Sequence, residues 1–128
     1  MQGNLLFEYA VVRIVPQVAR EEFVNAGVIL YCSARKFLEC MIVIDEDRLR
    51  ALYKDLDFDE LKRHVHAFER ICSGGKDAGP IGQLSTPERF RWLTAARSTV
   101  IQTSKVHPGL CLDPAIKIKE LFEKSVNR

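Results

Sequence analysis

Apolar residues come in three dense runs over the first third of the chain. Phe7 to Val15, FEYAVVRIV, is crowded with β-branched and aromatic side chains and stops at Pro16, which has no N–H to give to a sheet ladder. The run reads as a strand with both faces largely covered. FVNAGVILYCS follows the loop PQVAREE, and KFLECMIVI follows a short turn around Ala34-Arg35. These connections are too short for a helical crossover, so the three strands form an antiparallel meander.

Beyond Ile44 the apolar spacing changes to three and four, the repeat of a helix. Asp45 is placed to N-cap a short helix running to Tyr53, and DFDE, Asp57 to Glu60, is a capping-box spelling. Behind it Phe58, Leu61, Val65, Phe68 and Cys72 make one apolar stripe along a helix ending near Ile71. SGGKDAGPIGQ then breaks the pattern; with its glycines it predicts a mobile loop, Ser73 to Gly82 at its heart. STPERFRWLTAAR restarts a helix with Thr86 as N-cap and Pro87 at its first position, and STVIQTS offers a fourth strand. VHPGLCLDP reads as a loop with a tight turn at Pro108-Gly109. Asp113-Pro114 opens a last helix, with Ile118, Leu121, Phe122 and Val126 inward and Lys117, Lys119, Lys124 and Arg128 outward.

The order of elements gives an α+β fold: an antiparallel four-stranded sheet, the meander plus one later strand, backed by helices on one face. No repeat or linker divides the chain, and its 128 residues predict a single domain with a core that needs no metal or disulfide. The hydrophobic share of 47% and charged share of 28% are those of a globular protein. A net charge of +2 lacks the basic excess of a nucleic-acid-binding domain, so any basic site must be local.

Cys32, Cys40, Cys72 and Cys111 stand apart with no C-x-x-C spacing, and read as buried free thiols. Cys32 and Cys40 flank the turn SARK and would cross-link across a hairpin only if they faced each other in an oxidising compartment. The opening MQGNLLFEYA lacks the layout of a secretory signal, and no apolar run reaches the ~20 residues needed to cross a bilayer. The cytoplasm is the expected location, with no membrane partner.

Spelled catalytic motifs are absent: there is no nucleophile elbow, P-loop, dinucleotide fingerprint or H-E-x-x-H site. SGGKDAGPIG lacks the G-K-[ST] ending of a phosphate loop and does not follow a strand. His64 and His66, two apart on a helix, point to different sides and cannot chelate one ion as an i, i+4 pair would. No metal or other cofactor is expected, and the chain reads as a non-enzyme more readily than as an enzyme. His107 lies near Ser104 and Cys111, but no third orienting group is spelled beside it. Arg89, Arg91 and Arg97 accompany Phe90 and Trp92 on one helical stretch, which suits stacking on bases, an acidic partner or a solvated face around a buried Trp92.

VVRIVPQVAREEFVNAGVIL carries three residues that a plain core does not need: Arg13, Asn25 and Gly27. Alternation puts Asn25 and Gly27 on one face of their strand, and a strand glycine marks a bulge or a close backbone approach. Arg13 and Asn25 must be exposed at a strand end, bonded to each other or to an acid such as Glu22, or part of a pocket. A pocket would draw its polar groups from Arg13, Asn25, Arg97 and Ser104.

YAVVRIVP, EEFVNAGVIL and RFRWLTAARSTVIQTSKVHPGLCLDP resemble the bacterial domain of unknown function family 3037. Its pattern of Y-x-x-x-R-x-x-P, F-V-N-x-G-V-x-L, R-x-x-x-I-x-x-S and H-P-G is met by Tyr9, Arg13, Pro16, Phe23, Asn25, Gly27, Arg97, Ser104, His107 and Gly109. The resemblance implies that Arg13, Asn25, Gly27, Arg97, Ser104 and His107 serve a ligand or an interface. It also implies a protein partner, such as a kinase similar to the high-persistence toxin kinases. Three readings stand at this point: a protein-interaction or regulatory subunit, a small ligand-binding domain or enzyme, and a nucleic-acid binder. An uncovered sheet edge adds a homodimer to the partners to be tested.

Overall fold

The computed structural model of the chain describes residues 4–127. Its first three strands, β1 (Leu5–Ile14), β2 (Val24–Cys32) and β3 (Phe37–Ile42), form the expected antiparallel meander. β2 lies between β1 and β3 and is buried at nearly every position, because residues of both parities are apolar. Single 3₁₀ turns at Val18–Arg20 and Ser33–Arg35 make the two connections, each closed by a residue in the left-handed region, Glu21 (φ 57°) and Lys36 (φ 50°).

Three helices pack on one side of the sheet. α1 (Glu46–Leu52) is capped by Asp45, whose carboxylate accepts from the Arg48 N–H, and α2 (Phe58–Ser73) is capped likewise by Asp57 from Glu60. α2 lays Leu61, Val65, Phe68 and Cys72 against Ala10, Val12, Ile14, Ile29 and Tyr31 of the sheet. The glycine-rich segment is folded, not an open loop: a 3₁₀ turn at Lys76–Ala78 leads into the single turn α3 (Gly79–Gly82), and the Gly75 N–H bonds the Gly82 carbonyl at 3.0 Å. α4 (Thr86–Thr94) starts one residue earlier than expected, with Ser85 as N-cap and Glu88 completing a reciprocal capping box. Phe90 of α4 stacks on Tyr31 with ring centroids 5.4 Å apart.

The later strands bear out one expectation and correct another. β4 (Ile101–Thr103) pairs with the second half of β1, and β5 (His107–Cys111), expected as a loop with a tight turn, pairs with the first half. Both occupy the same flank of β1 in turn, giving five strands among the described residues. The Val11 amide and carbonyl bond Ser104 on that flank, so by alternation His107, Gly109 and Cys111 offer their amides to β1 while Pro108 faces away and loses nothing. Gly109 is required by a close approach: a Cβ there would lie 2.5 Å from Cζ of Phe7.

Helices cover both faces of the sheet, where one had been expected. α5 (Pro114–Ser125), capped by Asp113, packs on the opposite face over a second core of Phe7, Val28, Leu30, Cys32, Cys111 and Ile118. An alternating strand buries both sets of side chains only if each face has a cover. Among the described residues, no helix is long and apolar enough to cross a membrane.

Candidate functional site

The cross-strand pairing of β1 with β2 slips by one residue between Val12, opposite Gly27, and Arg13, opposite Asn25, leaving Ala26 as the extra residue of a bulge. The bulge reverses the alternation along β2. Gly27 falls opposite Val12 on the α2 side, while Asn25 falls opposite Arg13 on the α5 side, so the two do not share a face as simple alternation predicts. Gly27 answers to close approach: a Cβ there would collide with the Met41 carbonyl and lie 2.9 Å from the Ile42 Cα on β3.

Arg13 and Asn25 are therefore direct neighbours across the sheet. The Arg13 guanidinium carbon lies 4.3 Å from the centre of the Phe23 ring, and Asn25 Nδ2 donates to the Ser125 carbonyl at the end of α5 at 3.3 Å. Arg13 Nε and Asn25 Oδ1 are buried and have no hydrogen-bond partner among the described residues. A donor and an acceptor thus sit unpaired on facing residues, each at a cost of about 1–3 kcal/mol. Asn25 also borders a cleft of about 220 Å³ between the start of α1 and the end of α5, with Asp45, Arg48 and Asn127 as its other polar walls.

His107 belongs to the same face, farther along β1. It stands opposite Tyr9, with ring centroids 5.4 Å apart. α5 covers β2 and β3 on this face but only the edge of β1, so Tyr9, Val11 and Arg13 are half-buried where Val28 and Leu30 beside them are fully buried. The result is an open strip of Tyr9 with His107, Val11, and Arg13 with Phe23. Tyr9 and Phe23 were absent from the candidate set. The shared parity of Tyr9, Val11 and Arg13 on a strand is the signal that finds Tyr9; Phe23 lies in the loop before β2, where parity gives none.

Ser104 does not join this strip. Its Oγ accepts from the Val11 N–H at 2.8 Å and donates to the Lys105 carbonyl at 2.9 Å, while its own N–H bonds the Val11 carbonyl at 2.8 Å. These bonds carry the ladder across the gap between β4 and β5. Both side-chain bonds of its hydroxyl go to backbone.

Arg97 lies on the far side of β4. Its guanidinium stacks on Trp92 at 4.2 Å from the ring centre and donates to the Trp92 carbonyl, beside a cavity of about 160 Å³ that also meets His64 and Gln102. The arginines of this stretch do not form one basic surface. Arg89 turns inward to the end of α2, donating to the Ile71 and Cys72 carbonyls at 3.0 and 2.6 Å, and only Arg91 of the three keeps an exposed position without such a bond. His64 and His66 are exposed, with His64 Nε2 3.7 Å from the Glu60 carboxylate. No cluster of three metal-ligating side chains occurs among the described residues.

Cys32 and Cys40 lie on opposite faces of the sheet, so the hairpin cross-link is excluded by geometry. The four thiols instead fall into one couple on each face. Cys32 neighbours Cys111 under α5, where burial and Cys32 push the Cys111 thiol up, and Cys40 neighbours Cys72 under α2.

A family model described as "Protein of unknown function (DUF3037)" matches residues 9–126, from Tyr9 of β1 to the end of α5. No curated protein and no solved structure matches the chain.

Proposed function

We propose that this chain, which belongs to the DUF3037 family, is a protein-interaction subunit whose partner docks on the half of the sheet face that α5 leaves open. The observation that carries the reading is the strip of Tyr9, His107, Val11, Arg13 and Phe23, with the unpaired Arg13 Nε and Asn25 Oδ1 at one end. Aromatic side chains and arginine dominate the energetic centres of protein interfaces. Arg13 Nε and Asn25 Oδ1, buried without a partner among the described residues, gain hydrogen bonds when docking turns the two side chains outward. Arg13, Asn25 and His107 take the contacts in this reading, while Gly27 and Ser104 shape the strand that presents them and Arg97 braces the α4 end.

The partner that the family resemblance implies, a kinase similar to the high-persistence toxin kinases, is one candidate. The test is affinity purification of the tagged chain from its native lysate and after co-expression with such a kinase, beside an Arg13→Ala, Asn25→Ala variant and a Phe23→Ala variant. Phe23 is 44% exposed, so its truncation spares the core. A defined partner retained by the wild type and lost from both folded variants supports the reading. An identical set of retained proteins in all three overturns it.

A further inference from the structure

Cys40 projects from β3 towards α2, and Cys72 occupies the last turn of α2. Cys72 is buried, and Cys40, partly exposed, packs against the same core cluster. Both sulfur side chains line one open cavity of about 440 Å³ together with Leu38, Glu39, Glu69 and Ser73. Two cysteines on adjoining elements that line one cavity, one of them reachable from solvent, are placed for covalent closure.

We propose that Cys40 and Cys72 are a redox pair that closes reversibly into a disulfide joining β3 to the end of α2. The oxidant is hydrogen peroxide. The Cys40 thiolate attacks the peroxide oxygen; the O–O bond breaks, water leaves after protonation, and Cys40 becomes a sulfenic acid. The Cys72 sulfur then attacks the Cys40 sulfur, the S–S bond forms, the S–O bond breaks, and the oxygen departs as a second water. Two thiols lose two electrons and the peroxide gains them. A thiol reductant reverses the step by exchange.

The order follows from access and charge. Cys40 is the partly exposed thiol and Cys72 the buried one, held well above the ordinary thiol range by the neighbouring Cys40 and by burial, so Cys40 reacts first. The Arg89 guanidinium, bonded to the Cys72 carbonyl, favours the Cys72 thiolate when its turn comes. The disulfide would pin the end of α2 where Arg89 and the Gly74–Gly82 turn meet it.

The test treats the intact chain with hydrogen peroxide, counts free thiols and maps cross-linked peptides by mass spectrometry without reduction. The expected result is loss of two of the four thiols and a Cys40–Cys72 peptide that disappears on reduction, with no such loss in Cys40→Ser. Because the map is made on the wild-type chain, it stands even if the variant folds poorly. Retention of all four thiols, or a bridge confined to Cys32 and Cys111 or to two chains, overturns the proposal.

Discussion

Arg89 of α4 closes the C-terminal end of α2 by donating through Nη1 to the Cys72 carbonyl at 2.6 Å and to the Ile71 carbonyl at 3.0 Å. The same side chain bonds Leu84 and Thr86, so one guanidinium ties the helix end to the turn behind it. Four free carbonyls close every helix, and a cation among them gains from both hydrogen bonds and the helix dipole. Gly74 makes room: it lies at φ 75°, and a Cβ there would stand 2.7 Å from the Arg89 guanidinium.

Arg89→Ala is therefore expected to destabilise the chain by about 2–3 kcal/mol, the scale of charged hydrogen bonds lost from a partly buried site. Arg89→Lys, which keeps the charge without the planar fork, recovers less than half of that. Urea unfolding followed by circular dichroism measures both, and equal stability of wild type and Arg89→Ala would refute the clasp.

How far such features are legible in sequence depends on what they rest on. The stripe of Leu61, Val65, Phe68 and Cys72 is a local period, and the helix that buries it follows directly. The clasp is not local, since nothing in RFRW says which arginine reaches back to Ile71. β5 was hidden by Pro108-Gly109, two turn-forming residues that an edge strand tolerates once its other flank is free. The run VNAGVILYC, apolar at both parities, already spelled a strand covered on both faces, which is incompatible with helices on one side alone. Gly27 signalled a bulge or a close approach and proved to sit beside both. The reversal of faces that the bulge imposes on Asn25 needs the pairing register, which no single strand contains.

Gly27→Ala should be costlier than the same change at Gly109. The added carbon meets the backbone of β3 at Met41 and Ile42, which cannot rotate out of the way, so the β2–β3 ladder must part. A loss of about 3 kcal/mol is expected, at the upper end of ordinary overpacking. Gly109→Ala meets the ring of Phe7, a buried side chain rather than backbone, and should cost less. Thermal unfolding of the two variants side by side checks the order; a more stable Gly27→Ala than Gly109→Ala contradicts it.

Glu88 gives a pH dependence of known sign. Hydrogen bonds from the Ser85 hydroxyl and backbone N–H hold its carboxyl below the ordinary carboxylate value in the folded chain. Folding is thus favoured by the ionised form; the contribution is full above the unfolded pKa and is lost as pH falls through the folded one. Glu88→Gln should flatten the acid side of the stability curve while leaving its neutral limb nearly parallel. Unfolding midpoints measured from neutral pH down through the carboxylate range test this, and an unchanged acid slope in Glu88→Gln would show that the capping box does not titrate.

Arg13 and Asn25 supply the sharpest contrast between fold and function. Asn25→Ala removes one long bond to the Ser125 carbonyl but also an acceptor that has no partner among the described residues. The two effects oppose each other, so the stability change should stay within about 1 kcal/mol. Arg13→Ala forfeits the stack on Phe23, a partly exposed contact worth about 0.5–1 kcal/mol, and leaves the strand pairing intact. Both losses are small beside that of Gly27→Ala, at the next pair of the ladder. If the two polar side chains serve a partner, each substitution weakens its binding at least tenfold while the unfolding midpoint barely moves, and the double variant shows non-additive coupling because both contact one group. Isothermal titration against the captured partner, paired with urea unfolding, separates the outcomes. Large destabilisation with unchanged affinity would instead make Arg13 and Asn25 a device of the fold.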